Sequence, residues 1–419
     1  MTTSTRPLHR RGLMASAAGL LCLAAVAAPA ATAQAQTQAQ TPLRIGVLTD
    51  MSSLYADITG NGSVVAAQMA VEDFTAGRKM RPIEVLSADH LNKADIAASL
   101  AREWIDTKGV DVIVDLPNSA VALAVNNIAR DKNKAMLVAG ASTSDLTGKA
   151  CSPNTIQWTY DTYALAVGTT RAVVGSGDKT WFALTADYAF GQAMENDVRN
   201  VLKELGGTMV GSVRTPLNTQ DFASFLLQAQ ASPAKVVSLI NAGGDTINSI
   251  KQATEFGLTE SGKRLVAMVL YLHDVHSLGL KIAQGLQFTA AFYWDLNDQT
   301  RQWSKRFAER NGGKYPSQLQ AGVYAEVLHY LKAVEAAGGQ SADGKAIIAK
   351  MKEIPTDDPL FGKGSIRVDG RKLHDMYLFE VKTPAESNYP WDYYKVRQVI
   401  PSDQVWRPLK DGGCALVAQ

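Results

Sequence analysis

The chain has 419 residues, of which 46% are hydrophobic, 20% charged and 7% aromatic, with a formal net charge of +2. That length accommodates two domains of ordinary size, and so small a charge excludes a nucleic-acid surface built on a basic excess. The balance is that of a water-soluble globular protein rather than a fibrous or low-complexity one.

Residues 1–35 read as an export signal. Arg6, His9, Arg10 and Arg11 precede the apolar run 13–31, and small-x-small patterns at 31–33 and 33–35 fit cleavage. A membrane anchor is the competing reading; the alanine-rich run and the cleavage patterns argue against it. Arg10 and Arg11 leave the twin-arginine and general export routes both open. Without Arg6, Arg10 and Arg11 the chain carries 42 − 3 = 39 basic against 40 acidic residues. Residues 36–41 read as a linker.

From there strands and helices alternate. Residues 43–48 form a strand that enters a loop holding Asp50, Ser53, Tyr55 and Asp57, and 62–75 form a helix. A strand at 83–86 and a helix at 95–108 follow. Next come the strand 110–116, the turn Pro117-Asn118-Ser119, the helix 120–133, the strand 135–138 and the turn 140–145. Such alternation predicts a parallel, doubly wound sheet over 42–160. A second alternation over 161–290 has strands at 180–184, 208–213, 235–240, 264–270 and 286–292, with helices at 192–205, 221–230 and 245–256. Residues 291–360 turn helical, at 300–311, 317–337 and 343–353. Residues 361–419 are strand-like, at 365–368 and 376–381, and end in a tail rich in Trp, Tyr and Pro. Helices without strands of their own return to the first lobe, and the last strands to the second. The predicted architecture is α/β: two doubly wound parallel-sheet lobes joined by a hinge of several crossovers, near Tyr160, Trp294 and Phe361.

The turns after 110–116 and 135–138 carry the chemistry. Asn118, Ser119, Ser142 and Thr143 bring hydroxyls and helix-start N–H groups to one end of a sheet, where ligands of open α/β sheets bind and where a carboxylate is favoured. The bland alternative is that they only cap helices. Cys22 lies within the signal, which leaves Cys151 and Cys414. An even count in an exported chain points to a disulfide, with two buried free thiols as the alternative. His273 and His276 lack further ligands, and there is no G-x-S-x-G, P-loop or G-x-G-x-x-G after the first strand. No catalytic residue, metal or cofactor is expected.

In its signal, its two lobes and its Ser/Thr-rich strand-end turns, the chain resembles the type I periplasmic solute-binding proteins of ABC importers, in the branched-chain amino acid-binding (leucine-binding-protein-like) branch. Residues 43–48, Ala139 to Ser144, Asp187 to Gly191 and Gln320 to Ala325 carry the likeness. The resemblance implies a periplasmic monomer whose lobes close on a small carboxylate ligand and hand it to a membrane permease. It implies a carboxylate grip by Asn118, Ser119, Ala141, Ser142 and Thr143, and a cover by Tyr188. Asn241, Tyr271 and Asp274 would read the rest of the ligand, and Ser53 and Tyr55 would line the entrance. Amino-acid binders of the family pair the ligand ammonium with a carboxylate of the second lobe. Asp274 does not align clearly with that role, which points to an aromatic or hydrophobic organic acid as the alternative ligand. A ligand-sensing receptor or regulator of the same fold is the alternative function.

Overall fold

The structure, a computed structural model, describes residues 41–417; the stretch 1–35, expected to be an export signal, lies outside them. Strand β1 (Leu43–Thr49) is apolar on both faces because helices cover both. It pairs in parallel with β2 (Ile83–Asp89) and β3 (Val112–Asp115); β4 (Ala135–Val138) and β5 (Thr155–Gln157) extend the sheet in the order β2-β1-β3-β4-β5. Side-chain alternation splits the core in two. Ile45, Val47, Val112, Val114 and Leu137 face one way, with Val65, Met69, Val323 and Val327. Leu48, Ile113, Met136 and Val138 face the other, with Ala97, Ala101, Val121 and Val125.

The second lobe repeats the plan. Strands β6 (Thr180–Ala186), β7 (Thr208–Thr215), β8 (Val236–Ile240) and β9 (Arg264–Ala267) form a parallel sheet ordered β7-β6-β8-β9. Trp181, Ala183 and Val236 pack on the helices Thr162–Gly175 and Ala189–Glu204. Phe182, Leu184 and Val237 pack on Ala223–Ala231 and Gly244–Glu255. In both sheets the strand order reverses beside the first strand, between β1 and β3 and between β6 and β8. That is the place where an open α/β sheet leaves a crevice at its carboxyl ends.

After β10 (Gln287–Ala290) the chain returns to the first lobe. Helix Gln318–Ala336 lies between helix Gly60–Thr75 and helix Gly344–Glu353, with 15 of its 19 residues buried. Strands β11 (Thr356–Asp358), β12 (Gly362–Ile366) and β13 (Lys372–Leu373) form an antiparallel sheet against these helices, and Gln157 bridges to Arg371. The last crossing therefore runs through His374 and Asp375, not at Phe361 as the composition suggests. The hairpin is held to the first lobe because Lys372 is buried over the rings of Trp158 and Phe361, at 5.6 and 5.1 Å. Beyond it β14 (Met376–Val381) pairs antiparallel with β10 and with β15 (Tyr394–Ile400), a sheet that covers helix Thr162–Gly175.

Three segments thus join the lobes, and Arg371 ties the third to the first. Its fully buried guanidinium donates to the Tyr160 carbonyl (2.8 Å), lies 3.6 Å from the Asp161 carboxylate and stacks on Trp406 (4.6 Å). The tail then runs back to the first lobe, where Arg407 donates to the Ser144 carbonyl and Cys414 is bonded to Cys151. The cross-link spans 263 residues, and in the chain-entropy picture such a loop contributes up to roughly 5 kcal/mol. Reduction of the mature protein should lower its melting temperature by several degrees, and denatured, unreduced protein should expose no titratable thiol. Two reactive thiols per chain would refute the link.

Candidate functional site

Loop 50–59, after β1, is built around one buried carboxylate. Asp50 accepts from the backbone N–H of Ser53 and Tyr55 (both 2.9 Å) and from the Ser53 hydroxyl (2.7 Å). The start of helix Gln318–Ala336 holds the loop's far end: Ser317 donates to the Ile58 carbonyl at 2.6 Å and Gln320 to that of Thr59 at 2.9 Å. So fixed, the loop reaches the second lobe. The Gly244 N–H approaches the Leu54 carbonyl at 3.5 Å, and a Cβ on Gly243 (φ +58°) would come within 2.6 Å of that oxygen. Only glycine serves there, both for its left-handed backbone and for this close approach.

The turns after β3 and β4 meet behind this loop. Strand β3 stops where Asp115 and Leu116 take positive φ (79° and 58°), two residues earlier than its apolar run suggests for the turn's start. Gly140 lets the turns touch, since a Cβ there would lie 2.5 Å from the Pro117 Cα. The Asn118 carbonyl oxygen caps helix Ser119–Asp131 by accepting from Ala120 and Val121, and its amide donates to Asn92. The Ser119 hydroxyl accepts from the Thr143 N–H (3.2 Å), and the Thr143 hydroxyl accepts from Asp145 (3.4 Å). These bonds leave the backbone N–H groups of Ser119, Ala141 and Ser142 without an acceptor among the described residues. Buried N–H groups rarely stay unpaired, so they suit an anion.

Strand-end segments of both lobes supply aromatic rings to the cleft, Tyr55 and Tyr160 from the first and Tyr188 and Tyr271 from the second. The phenols of Tyr55 and Tyr188 are 2.7 Å apart. Those of Tyr160 and Tyr271 are also 2.7 Å apart, and Tyr160 donates to the Gly140 carbonyl at 2.9 Å. Burial pushes all four phenols above their ordinary range, so they are neutral. Between them lies a cavity of about 10 Å³, completed by Ile58, Pro117, Gly140, Ser142, Phe190, Ala242, Val269 and Leu319. A groove of about 720 Å³ opens outside the Leu54–Ile58 wall. The lobes are thus closed on one another, and a ligand enters the centre only as the tyrosines part.

Of the residues expected to bind ligand, Tyr55, Ser142, Tyr188 and Tyr271 line the central cavity, and Ser53 and Asp274 line the outer groove. The side chains of Asn118, Ser119 and Thr143 are engaged in the capping bonds above, and Ala141 lies behind the cavity wall. Asn241 faces away, donating to Ser249 (3.1 Å) and accepting from Thr246 (2.9 Å). Asp274 accepts from the Tyr271 N–H (2.9 Å), and burial pushes its carboxyl up to about 8. Sequence reading placed Tyr160 at a crossover but not in the site; its position between strand and helix start was the available signal. His273 is buried with its pKa down to about 4, and both it and His276 pack on the Trp391 ring, at 5.6 and 4.0 Å, as aromatic partners. Among the described residues no group of three His, Cys, Asp or Glu is arranged to hold a metal ion.

Paired α/β lobes whose strand-end turns face each other across a tyrosine-lined cleft define a type I solute-binding protein. The chain belongs to the Periplasmic binding protein family, which it matches over residues 42–388. It is similar to a periplasmic binding protein of Burkholderia mallei, with 50% identity, coverage of 90% of this chain and 99% of that one, and a TM-score of 0.87. It is also similar to a branched chain amino acid ABC transporter periplasmic ligand-binding protein of Burkholderia xenovorans LB400, at 42% identity, 89% and 99% coverage and a TM-score of 0.79. Leu/Ile/Val-binding protein homolog 6 of Brucella melitensis biotype 1 is 26% identical, over 81% of this chain and 91% of its own length. The protein is accordingly an extracytoplasmic carrier, not an enzyme, that delivers a small molecule to the permease of an ABC importer.

Under the cleft Asp115 is fully buried, and burial pushes its carboxyl up to about 7; the hydroxyls of Thr49 and Ser63 pull the other way, and the nearby Asp50 adds to the rise. Glu326, which accepts from the Asp115 N–H (3.2 Å), is raised by burial and then by Asp115. A carboxyl with a raised folded pKa keeps its proton longer in the folded chain than in the unfolded one. Its contribution is full at acid pH and is lost as pH climbs from about 4 through about 7. Between pH 5 and pH 8 this should cost the protein on the order of a few kcal/mol. Asp115→Asn should flatten that slope in melts across pH; curves parallel to wild type would contradict it.

Proposed function

We propose that the protein carries a small carboxylate whose remaining body is uncharged and apolar or aromatic, an organic acid rather than an amino acid. The observation that supports this most is the lining of the central cavity. It holds four phenols, Phe190, aliphatic groups and the Ser142 hydroxyl, without a carboxylate or cation, beside the unpaired N–H groups at 119 and 141–142. An anionic head fits those N–H groups, each bond worth about 1.5–3 kcal/mol, and an ammonium there would be buried without a counter-charge. The names of the relatives favour a branched-chain amino acid. On that reading Asp245 is the counter-ion to consider: it takes the Asn218 N–H at 3.1 Å, and burial holds its carboxyl up at about 6. We further read residues 1–35 as a cleaved signal and the carrier as a monomer.

Calorimetric titration with matched acids, their amides and amino acids tests the reading. The acid should bind at least tenfold to a hundredfold more tightly than its amide. An amino acid that outbinds the acid lacking its amino group would overturn the proposal in favour of the amino-acid carrier. A second expectation concerns closure. Scattering should show a smaller radius of gyration with a binding acid than without, because contacts from both lobes are made only when closed. An unchanged radius at saturation would argue against closure.

A further inference from the structure

We propose that the ligand carries, besides its acid group, a neutral hydrogen-bond donor, a hydroxyl, recognised by Tyr160 and Tyr271; this rests on the carboxylate reading above. The argument is a count of protons. A phenol has one hydrogen and oxygen lone pairs. Tyr160 gives its hydrogen to the Gly140 carbonyl, which can only accept. The Tyr160–Tyr271 contact at 2.7 Å must then use the hydrogen of Tyr271. Both hydrogens of this pair are committed, and both side chains are buried, at 2% and 5% exposure.

Two arrangements of a ligand follow, and in both a ligand group that bonds to the pair must bring a hydrogen. If the pair stays intact, what Tyr271 presents to the cavity is a lone pair. If the ligand parts the two phenols, it meets the lone pair of Tyr160 on one side and the freed hydrogen of Tyr271 on the other. A hydroxyl satisfies either case. A ketone or ether oxygen sets lone pair against lone pair in the first and leaves Tyr160 unpaired in the second. An unsubstituted carbon adds no bond in the first and leaves the Tyr160 lone pair and the Tyr271 hydrogen both unpaired in the second, which is the costly outcome. An ammonium supplies hydrogens but also a charge that no residue of the cavity lining balances. The other pair complements this corner. Tyr55 and Tyr188 have two hydrogens and one mutual contact at 2.7 Å, so one hydrogen remains for a ligand acceptor, which a hydroxyl oxygen also provides. Because burial keeps all four phenols protonated, the count holds across the physiological pH range.

The test is titration of the full-length mature protein with two matched sets. One holds 2-hydroxy-4-methylpentanoate, its 2-oxo and unsubstituted counterparts and leucine. The other holds 4-hydroxybenzoate, 4-methoxybenzoate and benzoate. In the set that binds, the hydroxy acid should be tighter than the oxo or methoxy acid and the unsubstituted acid by about tenfold or more. Tyr160→Phe combined with Tyr271→Phe removes both acceptors and should bring the hydroxy and unsubstituted acids to within about threefold of each other; if that variant does not fold, the series on wild type decides alone. Equal affinity of hydroxy and unsubstituted acids for wild type would overturn this inference and leave the carboxylate reading standing. If no acid of either set binds, the carboxylate reading falls and this inference falls with it.

Discussion

Helix Gln318–Ala336 cannot stay in water. Apolar and small residues surround it on nearly every side, and it finds cover only between two other helices on a sheet that the chain has already left. Burying it forces the chain back across the gap between the lobes, and each later return adds a connecting segment. The hinge is the by-product: three roughly parallel crossings, with Arg371 bonded to the first and stacked on the tail. Several short crossings permit rotation about one axis and resist twisting, which is the motion a closing cleft requires. The same helix anchors loop 50–59 through Ser317 and Gln320, so the element that creates the hinge also sets one wall of the site.

What the two lobes place in the cleft is mostly loop, and the loops are set by strand ends. Tyr55 follows β1, Ser142 follows β4, Tyr160 follows β5, Tyr188 follows β6 and Tyr271 follows β9. Five chain segments distant in sequence each contribute one side chain. The rigid part of each lobe fixes where those side chains can stand, and the phenols close the remaining distance with hydrogen bonds across the gap. The Gly243 approach to Leu54 shows how near the backbones come.

Alternation of apolar strands and amphipathic helices made both sheets readable in the sequence, because period and burial agree there. Helix Thr162–Gly175 was not foreseen: it is buried almost all round, so it has no polar stripe to reveal its period. Strand β15 was missed for the opposite reason, since its middle residues lie exposed on an edge and the adjacent Arg397 and Gln398 break its alternation. The third crossover was misplaced because buried Lys372 and Arg371 look like surface residues on paper. In the site, Tyr55, Tyr188, Tyr271 and Ser142 were legible from their positions after strands. For Asn118 and Thr143 the sequence leaves two roles open, because capping a helix and gripping an anion call for the same side chains, and both side chains cap here.

The order in which the chain emerges has its own consequence. The first lobe is assembled from residues 43–157 and from helices and strands between Asp298 and Leu373, whereas the sheet β6–β9 and its helices are contiguous. The sheet β6–β9 and its helices can therefore form while the first lobe still lacks a helical layer, leaving Val47, Val65, Met69 and Val114 uncovered. Cys151 waits for a partner 263 residues downstream, on the order of 10–50 s at the usual pace of synthesis. During that interval the nascent carrier presents an open apolar sheet face and a free thiol together. The bond that pins the tail can form only once the last segment has returned to the first lobe, so it records that this lobe has been finished.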